Sequence, residues 1–264
     1  MKSITSRENP LYKELKQLAG SSQARRKAGQ TLLDGVHLCQ AYLELRGLPP
    51  RAIVSGGALA NPEVSAILAE LAARAGGDAS IIVLPDALYK AISQVEHGVG
   101  LMFLIDTPAL AVPDHLLVSS VLLDNLQDPG NVGSILRSAA AAGIKQVYCS
   151  AGTAFCWSPK VLRAAMGAHF VLDIFENVDL AALIKASKIA VLATSGYASK
   201  RLYDVDLRQS VAWLLGHEGQ GVADDLLALA SEQVVIPHQG RIESLNVAAC
   251  AAVCFFEQMR QNQA

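Results

Sequence analysis

The 264-residue chain contains no Cys-x-x-Cys pair, no His-Glu-x-x-His and no Gly-x-Gly-x-x-Gly between an early strand and a helix. The last absence excludes a nicotinamide dehydrogenase, whose pyrophosphate needs that glycine-rich turn. The first two leave no metal site indicated. The five cysteines, at 39, 149, 156, 250 and 254, are not spaced as ligands. Cys250 and Cys254 stand four apart on an apolar stretch and read as packed thiols. The N-terminus lacks the apolar core of a signal peptide, and no apolar run approaches membrane-spanning length. A cytoplasmic protein with no membrane partner is expected. Excess positive charge is missing as well. The formal net charge is −2, with 17% charged and 52% hydrophobic residues, the balance of an ordinary globular enzyme.

Charge is nonetheless uneven along the chain. Between Lys2 and Lys27 lie Lys2, Arg7, Lys13, Lys16, Arg25, Arg26 and Lys27, against only Glu8 and Glu14. Such a stretch suits a solvated helix face, or contact with RNA phosphates, whose condensed counterions Lys and Arg displace. Taken with the motifs described below, RNA contact through Arg7, Arg25, Arg26 and Lys27 is the expectation.

The length permits one domain or two. Residues 1–106 read as a small α/β domain. Helices are expected at 9–18, 37–45, from Asn61-Pro62 to Arg74 and from Asp86, with strands at 31–33, 51–55, 80–84 and 101–105. Residues 107–114, with Pro108, Pro113 and small neighbours, read as a linker. Over 115–264 strands are expected at 118–123, 146–149, 171–175, 189–194, 212–215 and 234–236. Helices fall between them, one opened by Ser158-Pro159 and running to Ala168, and a last one from Ser244 to about Gln261. Strands alternating with helices imply a mostly parallel sheet covered on both faces.

Three of these strands end in turns that carry glycine and polar groups. They are Leu123-Asp-Asn-Leu-Gln-Asp-Pro-Gly-Asn131-Val-Gly133-Ser-Ile-Leu-Arg137, Leu215-Gly216-His217-Glu218-Gly-Gln-Gly221, and Ile236-Pro237-His238-Gln-Gly-Arg-Ile-Glu-Ser244-Leu245-Asn246-Val247. Ligands of open α/β sheets bind outside the carboxyl ends of strands, so three such turns can share one site. In this order the segments resemble the signature motifs of the SpoU/TrmH family of RNA ribose 2′-O-methyltransferases, within the SPOUT superfamily. The resemblance covers the chain well from about Leu117 onward and the N-terminal portion more loosely.

That resemblance implies an α/β fold whose C-terminal parallel sheet carries a deep trefoil knot, a feature periodicity alone would never suggest. It implies a small N-terminal substrate-binding domain similar to ribosomal RNA-binding proteins, although Leu33-Asp34-Gly35 stands where that domain usually has Val-Glu-Gly. It further implies a homodimer formed through the knotted domain, S-adenosylmethionine as methyl donor, and RNA, most naturally ribosomal, as substrate. A transfer-RNA enzyme and a noncatalytic RNA-binding protein of the same fold are the alternatives. The donor would be held by Thr194, Ser195, Gly196, Gly216, Glu218, Gly221, Ile236, Leu245 and Asn246.

The catalytic candidates are Arg137, Asn131, Glu218, Ser244 and Asn246. Arg137 is essentially always charged and is an odd general base; it suits a phosphate and a developing alkoxide. Asn131 could equally cap the helix it opens, Glu218 could orient Arg137 or tie its own turn, and Ser244 and Asn246 could cap the last helix or face the substrate. His217 and His238 depart from the family pattern. Each could take a proton near neutrality, or be a peripheral substitution.

Overall fold

The structure, a computed structural model, describes residues 1–76, 80–96, 98–240 and 244–263. Two compact units divide it. The first comprises 1–109 together with 157–170, and the second 110–156 with 171–264.

The first unit opens with β1 (Lys2–Ser3), α1 (Pro10–Gly20), α2 (Ser22–Ala28), β2 (Gln30–Asp34) and α3 (Val36–Leu45). It continues through β3 (Arg51–Ser55), α4 (Pro62–Arg74), β4 (Ile81–Leu84), α5 (Asp86–Lys90) and β5 (Leu101–Asp106). Asn9 and Asn61 cap α1 and α4, each followed by proline in the first turn, where its missing N–H costs nothing. Among the described residues the strands form one mixed sheet in the order β1-β4-β3-β5-β2, with β5 antiparallel to both neighbours. Tyr12, Leu15 and Leu18 of α1 pack with Leu32, Ile53, Ile82 and Leu104 beneath them. α2 was not foreseen, yet its signals are in the sequence: Ser21 caps it, and Gly29 ends it in the left-handed conformation.

Arg25 does not face solvent as expected. Its side chain is 5% exposed, because the short α2 folds back on the end of α1. The guanidinium donates to the carbonyls of Leu18 and Ala19, which α1 leaves unpaired at its C-terminus, and to Ser22 Oγ. It is a helix cap and not a phosphate ligand. Arg7, Arg26 and Lys27 are exposed.

The second half supplies β6 (Ser120–Leu123), α6 (Pro129–Ala141), β7 (Gln146–Cys149), α7 (Pro159–Ala165), β8 (Asp173–Phe175) and α8 (Leu180–Lys185). β9 (Ala190–Thr194), β10 (Lys200–Arg201), β11 (Val211–Leu215), α9 (Asp224–Leu229), β12 (Glu232–Val235) and α10 (Val247–Gln263) complete it. Among the described residues the strands form a seven-stranded, wholly parallel sheet in the order β10-β12-β9-β11-β6-β7-β8. Ala212 and Leu214 face α8 and α9 with Leu122, Tyr148 and Val191. Trp213 lies on the opposite face, where its indole N–H donates to Gln258 of α10 at 2.8 Å and fixes that helix on the sheet. The strands are covered on both faces, as their unbroken apolar runs require.

α7 belongs with the first unit. Thr31 Oγ1 donates to the Trp157 carbonyl at 2.8 Å, and the Phe170 ring meets Tyr42 edge-on at 5.4 Å. The helix also stops earlier than expected. Met166 and Gly167 both adopt positive φ and break it ahead of Ala168.

Removing the Arg25 side chain leaves the Leu18 carbonyl without its donor, while Ala19 keeps the Gln94 amide, a loss of about 2 kcal/mol. Chemical denaturation of Arg25→Ala should register that loss, while Lys27→Ala, an exposed position, should change stability by less than about 0.5 kcal/mol.

Candidate active site

The strand ends that carry the motifs lie level on one edge of the second sheet. Parallel pairing sets Leu215 beside Leu123, Leu214 beside Ala193, and Thr194 beside Val234. With neighbouring strands about 4.8 Å apart, the turns after β6, β11, β9 and β12 share an edge about 15 Å wide.

The turn after β6 enters α6 through Asp128, whose Oδ1 accepts from the N–H groups of Gly130 and Asn131 at 2.7 and 2.9 Å. Asp128 is therefore the cap, with Pro129 in the first turn. The Asp-Pro pair is the sequence signal that the focus on Asn131 passed over. Asn131 is the third residue of the helix, and its side chain is left for other contacts. Asn131 Nδ2 donates to Glu218 Oε1 at 3.1 Å, and Asn131 Oδ1 accepts from Asn246 Nδ2 at 3.0 Å. Asn246 Oδ1 in turn accepts from the N–H groups of Ala248 and Ala249 at 2.9 and 3.3 Å and caps α10. One residue from each motif thus joins a single hydrogen-bonded chain.

Glu218 anchors that chain. Its carboxylate also accepts from the backbone N–H groups of Gln127 and Asp128 at 3.3 and 3.0 Å. Partial desolvation raises its pKa. The bonds from Asn131 and from the backbone of Glu218, Asp128 and Gln127 lower it by more, leaving the carboxyl below its ordinary value. It ties the β11 turn to α6 and does not touch Arg137.

The β11 turn closes on itself. A side chain at Gly216 would place its Cβ 2.1 Å from both Gly221 C and Val222 N, so only glycine fits. Gly221 has φ +74° and donates its N–H to the His217 carbonyl at 2.8 Å. His217 Nδ1 accepts from the N–H groups of Gly219 and Gln220 at 3.0 and 3.2 Å. That nitrogen is committed to the turn, which gives His217 a structural post. Asp124, at the β6 end, accepts from Ala223 N–H at 3.0 Å and fixes the far side of the same turn. No motif singled it out; its one signal is a carboxylate directly after a buried apolar strand.

Arg137 stands apart. It is exposed, and among the described residues it has no hydrogen-bond or ion-pair partner. Six residues of helix carry it about 9 Å along the axis from Asn131 and about 120° around it. Thr194, Ser195, Ile236 and Leu245 are half-buried along the edge, and Gly196, Gly221 and Ser244 are exposed. Arg241, Ile242 and Glu243 of the third motif lie outside the described residues. No described group of three or more His, Cys, Asp or Glu could hold a metal, and no described helix is long and apolar enough to cross a membrane.

Comparison with known proteins places this geometry. Residues 119–256 match the model of the SpoU rRNA Methylase family. An uncharacterised tRNA/rRNA methyltransferase of Synechocystis is 33% identical, with 99% of this chain and 95% of that protein aligned. A 23S rRNA guanosine 2′-O-methyltransferase of Bacillus subtilis is 28% identical over 97% of this chain and 98% of its own. The crystal structure of an RNA 2′-O ribose methyltransferase superposes with a TM-score of 0.79 at 30% identity, covering 99% of this chain and 100% of the other. The methyltransferase AviRb of Streptomyces viridochromogenes, solved with S-adenosylmethionine, gives 0.84 over 97% of this chain and 99% of its own, and at 23% identity speaks for the fold alone. With over half its length inside the family model and a relative this similar along the whole chain, the protein belongs to the SpoU rRNA methylase family.

Proposed function

We propose that the protein transfers a methyl group from S-adenosylmethionine to the 2′-hydroxyl of a ribose in ribosomal RNA, the large-subunit RNA first among candidates, in the cytoplasm. The observation that carries this reading is the hydrogen-bonded chain Glu218–Asn131–Asn246, which joins all three motif turns at one sheet edge.

The residues along that edge fit the donor. Half-buried Ile236 and Leu245 offer apolar surface, and Thr194, Ser195, Gly196 and the Gly216–Gly221 turn offer backbone and hydroxyl groups beside it, the mixture an adenosine needs. When bound, S-adenosylmethionine would supply an electrophilic methyl on a sulfonium sulfur; the ribose oxygen would form a bond to that methyl as the S–C bond breaks, the neutral thioether leaving and the hydroxyl proton passing to a base. This chain's task is alignment and charge. Asn131 and Asn246 are held in fixed orientation to position the reacting groups. Glu218 already accepts three hydrogen bonds, so it serves as their anchor and not as the base. Arg137 binds a phosphate of the substrate and stabilises the oxygen as negative charge develops. Ser244, exposed two residues before Asn246, offers a hydroxyl at the approach to α10.

The wider architecture is part of the proposal. β11 enters the sheet between β9 and β6, and β12 between β10 and β9, which supports a knotted C-terminal region. Phe256, exposed on α10, supports a homodimer through that helix, and the separation of Arg137 from Asn131 suits an arginine that serves the partner's site. Residues 1–106, with Arg7, Arg26 and Lys27 outward, form the RNA-holding unit.

Labelled methyl groups should pass to large-subunit RNA from an undermethylated source and render one ribose resistant to alkaline cleavage. Label in transfer RNA alone would assign the other branch. Donor binding with no transfer to any RNA would favour a noncatalytic role. Arg137→Ala should lower kcat by about 10²–10³-fold with donor affinity unchanged; an unaltered kcat would remove Arg137 from the reaction.

The anchor has a pH signature. A carboxyl held below its ordinary value of 4.5 stabilises the native state above that pH, and the contribution is lost as pH falls through the folded value. The unsubstituted protein and Glu218→Gln should therefore differ in Tm at neutral pH and converge in acid. A gap that stays constant would assign the effect to packing.

A further inference from the structure

The chain is poor in aromatics, with 5% Phe, Trp and Tyr, and most of those residues are buried. Tyr197 is the contrast, at 101% relative exposure. It stands at the middle of the short connection from β9 to β10, on the motif-bearing edge of the sheet. Its position is built. Ser195 N–H donates to the Val234 carbonyl at 3.0 Å, Tyr197 N–H donates to Ser195 Oγ at 3.3 Å, and Ala198 N–H donates to the Ser195 carbonyl at 3.3 Å. On the far side, Lys200 pairs beside Val234 and its ammonium meets Glu232 at 2.6 Å. The backbone is tied at both ends, and the residue between them is fully exposed.

Arg201 follows in β10. It too is exposed, and among the described residues it has no hydrogen-bond or ion-pair partner. An aromatic face and an unpaired guanidinium four residues apart match the two needs of unpaired RNA, a stacking platform for a base and a cation for its phosphate. A lone exposed ring needs no explanation by itself; its place beside the motif edge, on a backbone tied at both ends and four residues before Arg201, gives it one.

We propose that Tyr197 stacks on an unpaired base of the RNA substrate, at or next to the nucleotide that receives the methyl group, and that Arg201 holds the adjoining phosphate. The inference rests on the RNA-methylating reading above and adds the residue that positions the base. Stacking tolerates any base but demands one that is unpaired, so the preferred substrate carries its target ribose in a loop or bulge rather than inside a continuous duplex.

The test uses the full-length protein, S-adenosylmethionine and unmethylated large-subunit RNA transcribed in vitro. Tyr197→Ala should raise KM for RNA about tenfold while kcat and donor affinity hold, and Tyr197→Phe should restore the original KM. Tyr197→Trp should keep activity and add an exposed indole whose fluorescence the RNA quenches, since Trp157 and Trp213 are both buried. Arg201→Ala should weaken RNA binding and reduce its salt dependence by about one counterion. An unchanged KM in Tyr197→Ala would overturn the proposal. So would a loss of donor affinity, which would place the ring on the donor's adenine, or a loss of the dimer in sedimentation, which would place it between two copies. If the unsubstituted protein methylated nothing, the functional reading would fall, and quenching of the Tyr197→Trp indole by the RNA would still decide the stacking.

Discussion

Glu218 is a pure acceptor, and its carboxylate dictates the polarity of every hydrogen bond that follows from it. Facing it, Asn131 must present its NH₂, which turns its carbonyl toward Asn246. Asn246 must then present its own NH₂, which leaves its carbonyl to cap α10. Neither asparagine can flip without setting two like groups against each other. An amide alone has no preferred sense, because its two ends are nearly the same shape. The ionised carboxylate supplies the sense, and it reaches the start of the last helix through two residues.

This relay depends on the sheet beneath it. Each of its bonds is worth only about 1 kcal/mol net, too little to hold three loops against their own entropy. The strands place the loops, because parallel pairing leaves Leu123, Leu215, Thr194 and Val235 ending within a residue of level. Apolar helices lock that register from both faces, with Trp213 bound to Gln258 on one side and the α8–α9 layer on the other. Gly216 completes the arrangement by letting the backbone at Gly221 and Val222 close against it. Burial sets where the polar groups can stand, and their hydrogen bonds set which way they point.

Most strands and their parallel sense were legible because a strand buried on both faces must be apolar along its whole length; β1 and β10, two residues each and largely exposed, carry no such run. The motif turns were legible because glycine and a polar residue directly after such a run have few structural uses. The partners of the side chains were not. Glu218 and Asn131 lie 87 residues apart in the chain, and no local pattern states that they meet. Arg25 misled for a related reason. A basic residue in a basic stretch reads as a surface cation, and only the fold of α2 against α1 shows that it points inward. The placement of α7 with the first unit was hidden likewise, since its contacts with Thr31 and Tyr42 are set by tertiary packing.

Glu218 and Arg137 meet their charge in different ways. Five cations are paired among the described residues, Lys13 with Glu8, Arg74 with Glu70, Lys200 with Glu232, Arg208 with Asp206 and Arg260 with Glu257, while Arg201, like Arg137, has no partner there. At the motif edge the carboxylate of Glu218 is satisfied by amides, and Arg137, farther along α6, has no partner among the described residues. Had Glu218 paired with Arg137, each would have been spent on the other. A guanidinium already bound to a carboxylate has little attraction left for a phosphate, and the role proposed for Arg137 would require breaking that pair at each turnover. Satisfying the acid with neutral donors avoids the conflict. The scaffold gains an anchor, and Arg137 keeps a charge that no described residue answers, as the role proposed for it requires.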